Sequence, residues 1–265
     1  MDKNYYLTGS EQMVYNAIKH AELVTLDLIR EMFPYLSTGM LYKVLYSLNK
    51  KGYLYRLKRN LYLVQKRPAK NPIIENPYRI ALALYKGYIG FSSALRHYNL
   101  IEYEPFTIFV VTTNKSGSMK IGNYTIQAVA MGKRAMGMLF DRGIYVSNIE
   151  KTFFDCFYKP QYCGGYESIT KALYEKRELK WKNFLGYFEM FASSSLCQRT
   201  GYVLDIMNKE TDLRIPDRVI KFFKKRIGNK AKLIPTAPSR GKYSAEWNLL
   251  DNLGKERMLG WYYGY

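Results

Sequence analysis

Apolar positions recur at helical spacing three times within the first fifty residues, and the period then drops to two. Met13, Val14, Ala17, Ile18 and Ala21 repeat every three or four residues and predict the buried side of a first helix. Thr8 and Glu11 stand at capping-box spacing, which places the start of that helix near Ser10. Thr25 is a cap for a second helix with Leu26, Ile29, Met32 and Phe33 turned inward, and Pro34 ends it. Ser37 caps a third, "STGMLYKVLYSLNKK", and Gly52 follows at its C-terminal end. After Gly52, "YLYRL" and "NLYLV" alternate as two short strands around a turn at Lys58–Asn60. Asn60 is expected there in a left-handed conformation, which asparagine tolerates better than most residues. Three short helices and a hairpin predict a winged helix-turn-helix over residues 1–66.

Residues 67–76 carry two of the prolines of "QKRPAKNPIIENP" and little periodicity, the pattern of a linker. From 77 to 265 the pattern is mixed. "PYRIALALYKG" and "SSALRHYNL" read as helices, the latter capped by Ser92, and "FTIFVVTT", "YTIQAVAM" and "GIYVS" as strands with "GSMKIGN" as a hairpin loop. Helical periods then dominate through "IEKTFFDCFY", "YESITKALYEK", "WKNFLGYFEMF", "RTGYVLDIMNK" and "PDRVIKFFKKRI", with closing strands near "KLIPT" and "WNLLDN". The expected class is α+β, a winged helix-turn-helix followed by a mixed α/β C-terminal domain.

Charge changes the picture. Lys and Arg number 41 against 22 Asp and Glu, a formal charge of +19, which favours a polyanionic partner. The third helix shows how one would be met. Opposite its apolar stripe of Leu41, Val44, Leu45 and Leu48 lie Gly39, Lys43, Tyr46 and Lys50, with Tyr42 and Ser47 flanking. Such a face fits a major groove, so Thr38, Tyr42, Lys43 and Tyr46 are the expected readers of base edges. Lys50, Lys51, Arg56, Lys58 and Arg59 are the expected phosphate contacts, with Asn60 at the turn between the strands. The same charges would also suit a solvated helix face, and some winged helices bind proteins instead.

Cys156, Cys163 and Cys197 lack a C-x-x-C pair, and His20 and His97 are the only histidines, so no zinc pattern is present and no cofactor is expected. No apolar run approaches the length of a membrane span, and the opening "MDKNYYLTGSEQ" lacks the hydrophobic region of a signal peptide; the expectation is a cytoplasmic protein.

The chain resembles the AbiE-type antitoxins of type IV toxin–antitoxin systems, grouped with transcriptional regulators of viral defence. The resemblance runs over nearly the whole chain and rests on "KKGYLYRLKRNLYLV", "YIGFSSALRHYNL", "VSNIEKTFFDCF", "RTGYVLDIM" and "WNLLDN". Asn60 stands where the family hairpin usually has glycine, Asn148 and Ile149 where it often has Asp-Pro before Glu150, and Gln198 where a basic residue commonly precedes Arg199. The resemblance implies a repressor of its own operon, bound to double-stranded operator DNA. It also implies an antitoxin-like C-terminal domain that counters a nucleotidyltransferase-like toxin, directly or through shared RNA. The alternative is a stand-alone winged-helix regulator with a protein- or RNA-interaction domain.

A metal-dependent nuclease fits less well. Asp141 with "IEK" at 149–151 is the nearest approach to its carboxylate cluster, but Glu150 and Lys151 are adjacent rather than separated. No P-loop, Gly-x-Ser-x-Gly or His-Glu-x-x-His motif occurs, and no catalytic residue is expected. Residues 214–242 hold ten basic residues and one acid, Asp217. Lys221, Lys224, Lys225 and Arg226 are therefore candidates for a second nucleic-acid surface or a dock for an acidic partner, unless they form a solvated helix face.

Overall fold

A computed structural model gives the structure of residues 6–264, an α+β chain that divides into two compact units. The first unit runs to Tyr85 and includes Ser118–Ile126; the second comprises Lys86–Gly117 and the chain from Gln127 onward.

In the first unit, α1 (Gly9–Ile18), β1 (Leu23–Thr25), α2 (Leu26–Met32) and α3 (Thr38–Lys50) lead into the hairpin β2 (Leu54–Lys58) and β3 (Leu61–Val64). The strands form one antiparallel sheet in the order β1-β3-β2, with Val24 opposite Tyr62 and Tyr55 opposite Leu63. All three predicted caps are at helix N-termini: Thr8 with Glu11 closes a capping box, Thr25 accepts from the Leu28 N–H, and Ser37 accepts from that of Met40. The core joins Val14, Tyr15, Ile18, Ile29, Leu41, Leu45, Leu48 and Leu54.

The first helix is shorter and rotated relative to expectation. It ends at Ile18, and Glu11, Val14, Tyr15 and Ile18 are its buried residues, while Met13 and Ala17 are exposed. Met32 of α2 is also exposed. A tyrosine replaced the methionine as the inward group because its hydroxyl finds the Gln65 and Lys66 carbonyls at 2.9 and 3.0 Å.

The segment expected to be a linker is structured. Buried Gln65 satisfies its amide on the backbone of Ile73, accepting from N–H at 2.7 Å and donating to C=O at 3.3 Å. Asn76 then caps α4 (Pro77–Leu84), whose first residue is a proline, as suits a position with no intrahelical N–H bond to make. The boundary between compact units therefore falls after Tyr85 and not within 67–76.

After α4 come β4 (Tyr88–Ile89), α5 (Phe91–His97), β5 (Thr107–Thr112), β6 (Gly117–Ile121), β7 (Tyr124–Ala130), β8 (Met138–Asp141) and β9 (Ile144–Ser147), all in the second unit except Ser118–Ile126, which takes in most of β6 and the start of β7 and belongs to the first. Their sheet has the order β6-β7-β5-β4-β9-β8, with β4 antiparallel to β5 and parallel to β9. "GSMKIGN", expected as a loop, supplies β6. The cap of α5 is Gly90, and Ser92 is buried inside the helix. Four helices follow, α6 (Ile149–Tyr158), α7 (Gly165–Lys176), α8 (Trp181–Phe191) and α9 (Ser194–Glu210), then α10 (Asp217–Lys224). A small sheet of β10 (Ala231–Lys232), β11 (Lys242–Ser244) and β12 (Leu249–Asp251) follows in the order β10-β12-β11, and two short helices, α11 (Lys255–Met258) and α12 (Gly260–Tyr263), come last.

The core of this unit is aromatic, with Phe154, Phe184, Phe188, Phe223 and Trp247 each fully buried. Gly201 of α9 lets it form: a Cβ there would lie 2.3 Å from the Trp247 ring and 2.6 Å from the Phe223 Cβ. The Trp247 indole donates to Asp205 at 2.9 Å, which settles its one polar group.

Candidate nucleic-acid interface

The stripe Leu41, Val44, Leu45 and Leu48 is buried and fixes the rotation of α3. Thr38, Gly39, Tyr42, Lys43, Tyr46 and Lys50 are consequently exposed, as the pattern predicted. Tyr46 is 71% exposed, a large aromatic left in solvent without a packing role. Lys43 and Lys50 carry no ion pair among the described residues, so this face is uniformly cationic and aromatic.

A further cation joins it from α2. Arg30 donates to the Tyr42 hydroxyl at 3.2 Å, and its guanidinium lies 5.7 Å from the centre of that ring. Its carboxylate partner among the described residues, Asp27, is 3.6 Å away and both are exposed, so the pair holds it weakly. The available signal in the sequence was a lone arginine on the polar side of α2, the helix that precedes α3.

The hairpin divides the expected phosphate contacts into two groups. Arg56 and Arg59 are exposed; Arg56 is steadied by its backbone N–H, which donates to the Asn49 side chain at 3.1 Å, and by a long bond from its guanidinium to the Arg59 carbonyl. Lys58 is committed elsewhere: its ammonium donates to the Ala83 carbonyl at 2.7 Å and lies 3.4 Å from that of Leu84. It thereby satisfies the carbonyl end of α4, where a cation is favoured by the helix dipole.

Lys51 is likewise engaged. Its ammonium lies 2.6 Å from the Glu11 carboxylate and donates to the Tyr6 carbonyl at 2.7 Å. Burial pushes the Glu11 carboxyl up, but hydrogen bonds from Lys51, Ser47 and the Thr8 N–H outweigh it and hold the group down to about 2. Lys51 thus joins the end of α3 to the start of α1.

Asn60 departs from expectation too. It is absent from the non-glycine residues at positive φ, and the turn is two residues, Arg59 and Asn60, with an irregularity of register between Arg56 and Lys58. That bulge supplies the bend which a left-handed Asn60 was expected to supply. The Asn60 amide instead donates to Asp27 at 2.6 Å, pinning the turn to the start of α2.

In the second unit the basic segment 214–242 is only partly free. Lys224 pairs with Glu246, and Arg226 pairs with Glu189 at 3.3 Å while its guanidinium stacks 3.6 Å from the centre of the Phe222 ring. Lys221 and Lys225 are exposed and unpaired among the described residues. The candidate surface therefore shrinks from four cations to two.

The carboxylates weighed for a metal are dispersed into separate contacts. Asp141 lies 2.7 Å from the His97 ring, Glu150 accepts from the Lys180 N–H at 3.1 Å, and Lys151 pairs with Asp155 at 2.5 Å. Among the described residues no group of three His, Cys, Asp or Glu side chains could hold a metal ion. The Lys151–Asp155 pair is fully buried among Tyr88, Phe154 and Tyr187. Burial lowers the Lys151 ammonium and raises the Asp155 carboxyl, each opposed by its partner.

No protein-family model matches the chain, and no curated protein does. Among solved structures, the RV2827C protein from Mycobacterium tuberculosis is similar in fold. It superposes with a TM-score of 0.68 at 14% sequence identity, over 93% of this chain and 92% of that one. A likeness at that identity is one of fold alone. No helix among the described residues is long and apolar enough to cross a membrane.

Proposed function

We propose that the first unit is a winged helix-turn-helix that binds double-stranded DNA, with α3 in the major groove and the β2–β3 hairpin as a wing on the phosphate backbone. The observation that supports this best is the exposed face of α3. It carries Lys43, Tyr46 and Lys50 unpaired, beside a hairpin that projects Arg56 and Arg59. In this reading Thr38, Tyr42, Lys43 and Tyr46 face base edges, while Lys50, Arg56, Arg59 and Arg30 meet phosphates. Lys51 and Lys58 drop out, because a lysine already bonded within the protein must break those bonds to reach a phosphate.

For the whole chain the reading is a transcriptional regulator that represses its own operon and serves as an antitoxin against a nucleotidyltransferase-like toxin. The resemblance of its C-terminal motifs to AbiE-type antitoxins supports this half. The test is fluorescence anisotropy of the full chain with a duplex from upstream of its own gene and with a scrambled duplex, across a salt series. Tighter binding to the upstream duplex, weakening steeply with salt, is expected. Absence of binding at low salt would sink the DNA reading.

A further inference from the structure

Two cavities in the second unit share Tyr158 and Lys159 in their linings. The larger, about 810 Å³, is walled by Phe157, Tyr166, Leu233, Ile234 and Pro235, with Arg199 and Arg257 among its lining. The smaller, about 520 Å³, is lined by Lys133 and Arg134 together with Met190 and Phe191. Both fall in the range of small-ligand sites.

The polar lining has a single sign with one exception. Lys133, Arg134, Lys159, Arg199 and Arg257 form no ion pair among the described residues, and Glu167 is the only acid lining either cavity. Elsewhere in the unit some cations, Arg177, Lys209, Lys224, Arg226 and Lys255, have carboxylate partners, and others, Lys221 and Lys225, are unpaired among the described residues.

Arg134 is the sharpest feature. Its guanidinium lies 4.8 Å from the centre of the Tyr158 ring, and its Nη2 reaches only the Phe191 carbonyl, at 3.5 Å. Its Nε is buried with no acceptor. The guanidinium lines the smaller cavity with no carboxylate partner among the described residues, so an anionic oxygen there would meet an uncompensated charge. Lys159 stands beside it, its ammonium 5.5 Å from the Tyr158 ring centre and 5.8 Å from that of Tyr162.

An apolar wall by itself would accept any greasy ligand, and cations by themselves any anion. Their juxtaposition selects a molecule with a flat apolar ring at one end and phosphate at the other. We propose that this cleft binds a nucleoside phosphate, with the base against the Tyr166–Leu233–Pro235 wall and the phosphate on Arg134 and Lys159. The nucleotide is either free or a residue of a single-stranded RNA, since both present the same base and phosphate. The cleft lies wholly in the second unit, so the inference does not rest on the DNA reading.

Calorimetric titration of the full chain with AMP, adenosine, inorganic phosphate and a four-residue oligoadenylate tests it. AMP or the oligoadenylate should bind, with adenosine and phosphate each roughly tenfold or more weaker, because each supplies half of the contacts. Tighter binding of AMP identifies a free nucleotide as the ligand, and tighter binding of the oligomer a strand. Arg134→Gln and Lys159→Gln should each weaken the preferred ligand by roughly tenfold, as loss of a charge-assisted contact does. Lys182→Glu, at an exposed site on α8, should leave it unchanged. Should Arg134→Gln fail to fold, Lys159→Gln decides, because that ammonium makes only ring contacts. The proposal is overturned if none of the four probes binds at about 1 mM, the weak end of specific association. It is equally overturned if phosphate binds as well as AMP, or if Lys159→Gln melts and binds like the parent protein.

Discussion

Lys51, just past the end of α3, lies 2.6 Å from Glu11 in the first turn of α1. The pair closes the first unit between two helices whose packing sets the attitude of the proposed reading helix. Glu11 is held at about 2 against its usual 4.5, so its contribution to stability is complete above pH 4.5 and is lost as pH falls toward 2. After allowance for solvent screening, the contribution is roughly 1 kcal/mol. Glu11→Gln should lower the melting temperature at neutral pH and flatten its decline between pH 4.5 and 2, measured by circular dichroism. An unchanged acid profile would show that the pair contributes nothing. Lys51→Ala should also lower stability, while leaving the salt dependence of DNA binding as it was.

Lys43→Ala should alter sequence preference more than Arg59→Ala does. Lys43 stands on the exposed face of α3, and Arg59 in the turn of the hairpin. A base contact is worth about 1–3 kcal/mol of discrimination, whereas a lost phosphate contact weakens all sequences and lowers the salt slope by about 1. Competition titrations with upstream and random duplexes read both quantities. Equal weakening on the two duplexes by both variants would remove α3 from the groove.

The buried Lys151–Asp155 pair gives a test of architecture. Lys151→Met leaves a carboxylate in an aromatic enclosure and should cost about 3–5 kcal/mol. The double variant Lys151→Met with Asp155→Leu should recover much of that loss, since two apolar side chains need no desolvation of charge. Chemical denaturation of the single and double variants decides the matter. A double variant no better than the single one would mean that the pair contributes more than its own neutralisation.

Gly201→Ala should destabilise the second unit by about 1–3 kcal/mol, the usual cost of overpacking. The added methyl would have to displace the Trp247 ring, fully buried beside α9. Tryptophan emission followed through thermal melting should show the lower transition. A melting curve identical to the parent's would mean that α9 and the indole can part without cost.

If α10 carries a docking surface for the toxin or its RNA, Lys221→Glu with Lys225→Glu should reduce growth rescue in cells expressing the toxin. Both side chains are exposed and unpaired among the described residues, so stability should shift by less than about 0.5 kcal/mol. Lys224 and Arg226 are unsuitable for this test, because their replacement would break the contacts with Glu246 and Glu189. Full rescue by the double variant would identify the segment as a solvated face.

The three helix starts, the apolar stripe of α3 and the two strands of the hairpin were legible in the sequence, because each is local chemistry or a periodic pattern. A cap reads its own N–H groups within three residues, and a stripe at helical period has one side to bury. What the sequence could not disclose was which side chains meet across long separations. Lys51 and Lys58 look like any other exposed cations until the fold brings Glu11 and the Ala83 carbonyl to them. Likewise the two-residue β4 is too short to show alternation, and exists because its longer neighbours β5 and β9 offer it hydrogen bonds. Arg134, Lys159, Arg199 and Arg257 lie up to 123 positions apart, so no spacing could announce a common cleft. Periodicity marked the apolar stripe of α3; only tertiary structure decided which cations are already occupied and which remain free to meet a ligand.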